Sequence, residues 1–179
     1  ILIIRDISEI KQTMNDLQYL AFFDQLTEIP NRTLFLDRAE TAIRQAKREN
    51  YNLAIIYIDL DGFKNINDEL GHEAGDRFLK EISRRYNECI RESDTLSRFG
   101  GDEFTILMPK VSDIKDASRL ALRILNSNTD AVLLNNKNIY PKTSLCISIF
   151  PNDGENIDIL MRHADSAMYQ AKKNGKNQY

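Results

Sequence analysis

The sequence predicts an α+β fold: a ferredoxin-like or palm-type βαββαβ sheet with flanking helices, plus an N-terminal linker helix. Three observations predict it. The run NLAIIYIDL, residues 52–60, is almost continuously apolar, as a strand covered on both faces must be. The strand-like runs TLSRF and EFTILMP flank Gly100-Gly101, a pair suited to the positive φ angles of a hairpin turn. Helical apolar spacing alternates with these runs to give the order β-α-β-β-α-β.

Each element has its own justification. Ile1 to Ile4 is a short apolar run that reads as a strand, closed by Arg5-Asp6. From Ser8 the spacing turns helical, with Ile10, Met14, Leu17, Leu20 and Ala21 three or four residues apart. Ile10 and Leu17, like Met14 and Ala21, lie seven apart, so this helix suits pairing with a second copy as well as packing on its own domain. Pro30 and Asn31 punctuate DQLTEIPNR, and a second helix runs from Arg32 to Arg48. After the strand ending at Asp59, a helix from Gly75 to Arg91 carries Phe78, Leu79, Ile82 and Tyr86 on one side. Ile114 to Leu125 is a helix with Leu120, Ala121 and Ile124 inward, TSLCISIF is a strand, and Ile157 to Lys173 is the final helix.

Composition narrows the function classes. A chain of 179 residues holds one core with an appended segment. Its net charge of −3 gives no basis for binding nucleic acid. Cys89 and Cys146 stand far apart, which excludes a zinc framework or a disulfide scaffold and fits a reducing, cytoplasmic setting. No apolar run approaches the roughly 20 residues of a membrane span, so this segment is expected to make no membrane contact. The start ILIIRDISEI is too acidic and too short for a secretory signal. Without an initiator methionine, the chain reads as a piece of something longer.

Topology then brings chemistry together. In the usual order of this sheet the first strand lies antiparallel to the third, so the end of the first meets the hairpin tip. Asp59 and Asp102, distant in sequence, converge there, an arrangement that suits a divalent cation and is costly without one. The stretch DLDGFKNINDELGHEAGD, residues 59–76, fails as a calcium loop because Phe63 and Lys64 stand where a ligand and a glycine are needed. No P-loop or GxGxxG is present, so a nucleotide would be held differently. Magnesium bound by Asp59, the Leu60 carbonyl and Asp102, together with substrate phosphates, fits the donor set. Asn67 and Asp76 suit either reading the edge of a guanine base or capping helices.

RFGGDEF, YIDLDGFKNINDELGHEAGD, DQLTEIPNR and HADSAMYQAKKNGKN together resemble the GGDEF family of diguanylate cyclases, over about residues 22–177. The family joins two GTP into cyclic di-GMP with release of two pyrophosphates. The resemblance implies that Asp59, Leu60 and Asp102 are metal ligands for Mg²⁺, with Mn²⁺ as a substitute. It implies Asp102 as proton acceptor from the 3′-hydroxyl, Glu103 as its acidic neighbour, and Lys64 as a stabiliser of transition-state charge. Asn67 and Asp76 match the guanine readers, with Phe63 and His72 in the same substrate-binding stretch. Lys172 and Lys176 match positions that grip the distal phosphates; Lys176 stands where the family commonly has Arg and lacks its bidentate fork.

Further implications concern assembly and regulation. Each half-site holds one GTP, so catalysis requires a homodimer. RESD, residues 91–94, has the RxxD spacing of the family's inhibitory product site, with Arg91 and Asp94 as contacts to cyclic di-GMP and Arg119 and Arg123 as weaker secondary contacts. ILIIRDISEIKQ resembles the last strand and linker helix of a PAS-like sensor, which gives a division into residues 1–21 and a GGDEF domain at 22–179. Glu28-Ile29 replaces the family's common Gly-Leu. The alternative to an active cyclase is a silent module that senses GTP or cyclic di-GMP. A polymerase-type palm shares the carboxylates but lacks the FKNIND and GHEAGD blocks.

Overall fold

A computed structural model describes residues 2–173, without the side chains of 2–7, 15 and 169–173. Its central sheet has the order β2-β3-β1-β6, built from β1 (Asn52–Leu60), β2 (Thr95–Gly100), β3 (Glu103–Val111) and β6 (Thr143–Phe150). Every neighbouring pair is antiparallel, as the βαββαβ reading requires. β1 lies inside the sheet, and its residues from Leu53 to Leu60 are all buried.

Strand alternation divides the core in two. Ala54, Ile56, Ile58 and Leu60 face one layer, made with α4 (His72–Cys89) and α5 (Lys115–Ser127) through Phe78, Ile82, Leu120 and Ile124. Leu53 and Ile55 face the other, where α2 (Arg32–Glu49) and α6 (Ile157–Lys173) contribute Phe35, Ile43 and Leu160. By the same parity Asp59 shares the face of Tyr57 and Ile55, while Leu60 points to the opposite layer.

Helix ends follow local chemistry. The Asn31 side chain accepts from the Leu34 amide (3.2 Å) to start α2, and Asn50, at φ 54°, ends it in the left-handed region. Behind Leu60, the Asn128 amide donates to the Tyr86 and Thr143 hydroxyls (3.1 and 3.0 Å), a buried polar knot that fastens α4 and α5 to the start of β6.

Three expectations are corrected. Leu2–Ile4 is helical, the opening of α1 (Leu2–Phe22), where the backbone groups find partners within the helix. Ile1 lies outside the described residues. The stretch after β1 forms a helix of its own, α3 (Phe63–Leu70), joined to α4 through Gly71 alone, so the expected helix from Gly75 starts at His72. A small hairpin, β4 (Val132–Leu134) and β5 (Lys137–Ile139), was not foreseen; Asn135 and Asn136 supply its two positive φ angles, 49° and 62°.

Candidate active site

The site forms at the end of the sheet where β1 meets the β2–β3 turn. Asp59 is the register partner of Glu103, and the Leu60 amide donates to the Asp102 carbonyl (3.2 Å). The turn itself is allowed by Gly100 and Gly101, at φ 140° and 52°, angles that disfavour any residue with a Cβ. The end of β1 that carries Asp59 therefore lies against the turn that carries Asp102, where the topology puts it. Asp59 is buried, and Asp102 and Glu103 are half-buried.

The charge at this end is strongly negative. Tyr57, two residues before Asp59, has its phenol pushed well above the ordinary range by burial, by hydrogen bonding to Glu103, and by the charges of Glu103, Asp165 and Asp59. Among the described residues, no three His, Cys, Asp or Glu side chains gather so as to hold a metal ion. The donor set is two carboxylates and a backbone carbonyl, oxygens only. Such a set fits a hard cation whose remaining ligands come from phosphate oxygens.

Beside it, α3 and α4 bring Asn67 and Asp76 close. Neither side chain caps a helix: the preceding positions are Gly62 and Gly71, with no side-chain cap bond at either start. A Cβ built on Gly75 would overlap the Asn67 side-chain oxygen, so Asn67 lies directly over the α4 backbone one residue before Asp76. That close approach is the physical reason for glycine at 75. Lys64 is exposed on the first turn of α3, and His72 is exposed at the start of α4. Phe63 is buried and stacked on Phe78, with centroids 6.2 Å apart. The Lys172 side chain and all of Lys176 lie outside the described residues.

Arg98 and Asp24 escaped the sequence reading, and together they fasten the turn. The Arg98 guanidinium donates to the Gly101 carbonyl through Nε and Nη2 (3.1 and 2.8 Å) and through Nη1 to both Asp24 carboxylate oxygens (2.9 and 3.1 Å). Its amide donates to Pro30 (3.0 Å). Burial raises the Asp24 pKa, but hydrogen bonds from the Thr27 hydroxyl and amide, and then from Arg98, outweigh it and leave the carboxyl below its ordinary range. DQLTEIPNR is thereby clamped to the turn that carries Asp102. The signal was the Asp-x-x-Thr spacing of an Asx-type turn, but its distant partner is visible only in three dimensions.

Farther away, the Asp94 carboxylate accepts from the Arg91 amide (3.1 Å), and the Asp94 amide donates to the Arg91 carbonyl (3.0 Å). RESD thus closes a turn on itself and leaves the Arg91 side chain exposed. Arg119 is paired with Asp116. Cys89 and Cys146 are buried free thiols; burial pushes Cys146 up to about 12, which disfavours its thiolate.

Comparison with known proteins agrees with this geometry. Residues 21–178 match the family model described as diguanylate cyclase, GGDEF domain. The chain belongs to the GGDEF family. The bifunctional diguanylate cyclase/cyclic di-GMP phosphodiesterase MucR of Pseudomonas aeruginosa is 40% identical over 164 residues, 92% of this chain and 24% of MucR. The cyclic di-GMP phosphodiesterase NbdA of the same organism is 35% identical over 90% of this chain and 20% of its own length. The chain therefore spans a quarter or less of these two relatives. The solved GGDEF domain of TpbB from Pseudomonas aeruginosa superimposes with a TM-score of 0.84 at 37% identity, covering 87% of this chain and 91% of that one. Among GGDEF proteins this chain thus shares the palm-like sheet as well as the sequence blocks.

Proposed function

We propose that this GGDEF domain is an active diguanylate cyclase that condenses two GTP into cyclic di-GMP and two pyrophosphates, as a homodimer with Mg²⁺, which Mn²⁺ can replace. The observation that carries the reading is the pairing of Asp59 with Glu103 at the sheet end, with Asp102 beside them and Asn67 and Asp76 next door. The carboxylates and the Leu60 carbonyl would hold the metal, which supplies charge neutralisation at the phosphates when bound.

The chain's own residues have distinct tasks. Asp76 accepts the N–H donors of guanine and Asn67 reads its remaining edge, a demand no adenine meets. Asp102 accepts the proton of the 3′-hydroxyl as that oxygen attacks the α-phosphorus of the GTP on the other subunit. The bond to pyrophosphate breaks in line, and a second such step closes the ring. Lys64 offsets the charge that gathers on the phosphates, and Lys172 and Lys176 grip their distal end.

One domain holds one nucleotide, so two must face each other. The exposed stripe of Ile10, Met14 and Leu17 on α1, each more than half accessible, suits a parallel pairing of two such helices. Arg91 and Asp94 lie outside the catalytic end and are assigned to product inhibition. A silent, nucleotide-sensing domain is the second reading, favoured by the relatives named as phosphodiesterases.

The test is incubation of the chain with GTP and Mg²⁺, with nucleotides resolved by chromatography. Cyclic di-GMP formed at a specific rate that rises with protein concentration supports the cyclase. GTP bound without product supports the silent module.

A further inference from the structure

The β4–β5 hairpin has a buried root and an exposed tip. Val132 and Leu134 are buried in the core beside α4, whereas Asn135 and Asn136 turn the chain at the surface. From the tip, the Asn135 side chain reaches two other elements at once. Its Nδ2 donates to the Leu70 carbonyl (3.3 Å), the last residue of α3, and its Oδ1 accepts from Arg77 Nη2 (2.6 Å) on α4.

These partners lie on either side of a one-residue joint. Gly71, at φ 86° and ψ 160°, is both the end of α3 and the start of α4, with no side-chain cap at that start. A glycine joint is soft, and the angle between the helices must be held by contacts across it. On the inside the contact is Asn67 over Gly75. On the outside it is the Asn135 amide, which bonds to Leu70 before the joint and Arg77 after it. The same angle sets the distance between Asn67 and Asp76.

We propose that Asn135 is a positioning residue for nucleotide-base recognition: it bridges α3 and α4 across Gly71 and thereby fixes the spacing of Asn67 and Asp76. The inference rests on the reading of those two residues as the guanine readers. Asn135 touches no nucleotide itself. Its left-handed φ of 49° explains the residue type twice over, since Asn tolerates that conformation and carries an amide able to donate and accept together.

Asn135→Gly keeps the turn conformation and removes only the side chain, so the hairpin retains its shape. The measurement is calorimetric titration of the Mg²⁺-containing protein with the 3′-deoxy forms of GTP, ATP and inosine triphosphate; these cannot react without the attacking hydroxyl, and the last lacks the 2-amino group that Asp76 would hold. In Asn135→Gly, the GTP dissociation constant is expected to rise by about 5–10-fold, as for one or two lost hydrogen bonds. The preference for GTP over inosine triphosphate is expected to shrink, and the melting temperature to fall by a few degrees as the two bonds are lost. Arg77→Ala should reproduce that loss of preference, and the double variant should be no worse than the poorer single one.

An unchanged GTP to inosine triphosphate ratio in Asn135→Gly overturns the inference, as do additive losses in the double variant. Wild-type protein with no preference for GTP over ATP overturns the base-reading assignment itself, and the inference with it. That failure is seen before any variant is made.

Discussion

Asp59 and Glu103 face each other across β1 and β3 on the rung that ends at the hairpin turn, and Asp102 immediately precedes Glu103 in that turn. Like charges at that spacing oppose folding unless something positive joins them. Asp59→Asn is therefore expected to lower cyclic di-GMP formation by on the order of 10²–10³-fold. Turnover assays with Mg²⁺ check this; normal turnover overturns the metal-site assignment.

Gly75→Ala separates function from folding on α4. Alanine in a helix interior gains about 1 kcal/mol over glycine in propensity. Its Cβ, however, occupies the place of the Asn67 side-chain oxygen. Asn67 must rotate away or α3 must tilt, and either change disturbs the proposed base-reading pair. The expected outcome is a KM for GTP raised about tenfold with little change in the urea midpoint, from steady-state kinetics and denaturation run side by side.

The fold was legible because its strands announce themselves. NLAIIYIDL and the glycine-split hairpin could hardly be anything else, and from their order the meeting of Asp59 with Asp102 followed. α3 was not legible because Gly62, Asn65, Asn67, Gly71 and Gly75 look like loop residues; the glycines in fact serve helix ends and a close helix crossing. The β4–β5 hairpin was missed because its strands are three residues long and its turn is Asn-Asn without glycine. Arg98 was read as part of a strand, although its side chain is what ties the turn that carries Asp102 to Asp24. Such a partnership across 74 positions leaves no local pattern.

Arg98→Ala should damage both stability and turnover. The Arg98 side chain is only 10% exposed and Asp24 only 21%, so the change leaves a half-buried carboxylate without its cation. A loss of about 2–3 kcal/mol is expected, below the range for fully buried pairs. Arg98→Lys should recover part of the stability but less of the activity, because one ammonium cannot reach Asp24 and the Gly101 carbonyl in the same planar geometry. Urea denaturation and initial rates on both variants check this.

Arg91→Ala removes an exposed guanidinium and leaves the RESD turn standing, since that turn is closed by the Arg91 backbone and Asp94. Initial GTP turnover is expected to be unchanged. The concentration of cyclic di-GMP needed for half inhibition should rise at least tenfold, measured by adding product at the start of the reaction. Equal inhibition of both proteins would reduce RESD to a turn.

Acid sensitivity should come in part from Glu81. Hydrogen bonds from Arg84, and then from Arg85, lower its carboxyl to about 2 from an ordinary 4.5, against the opposing effect of burial. A carboxyl lowered on folding stabilises the native state in full above its unfolded value, and that contribution fades as pH falls from about 4.5 toward 2. Arg85 also donates to the Ser127 and Asp130 carbonyls (3.2 and 2.6 Å), so protonating Glu81 loosens the hold of α4 on the end of α5. Glu81→Gln should therefore be less stable than wild type at pH 6 and converge with it near pH 2. Urea midpoints measured across that interval give the answer: curves that stay parallel would mean that the acid response comes from other carboxylates.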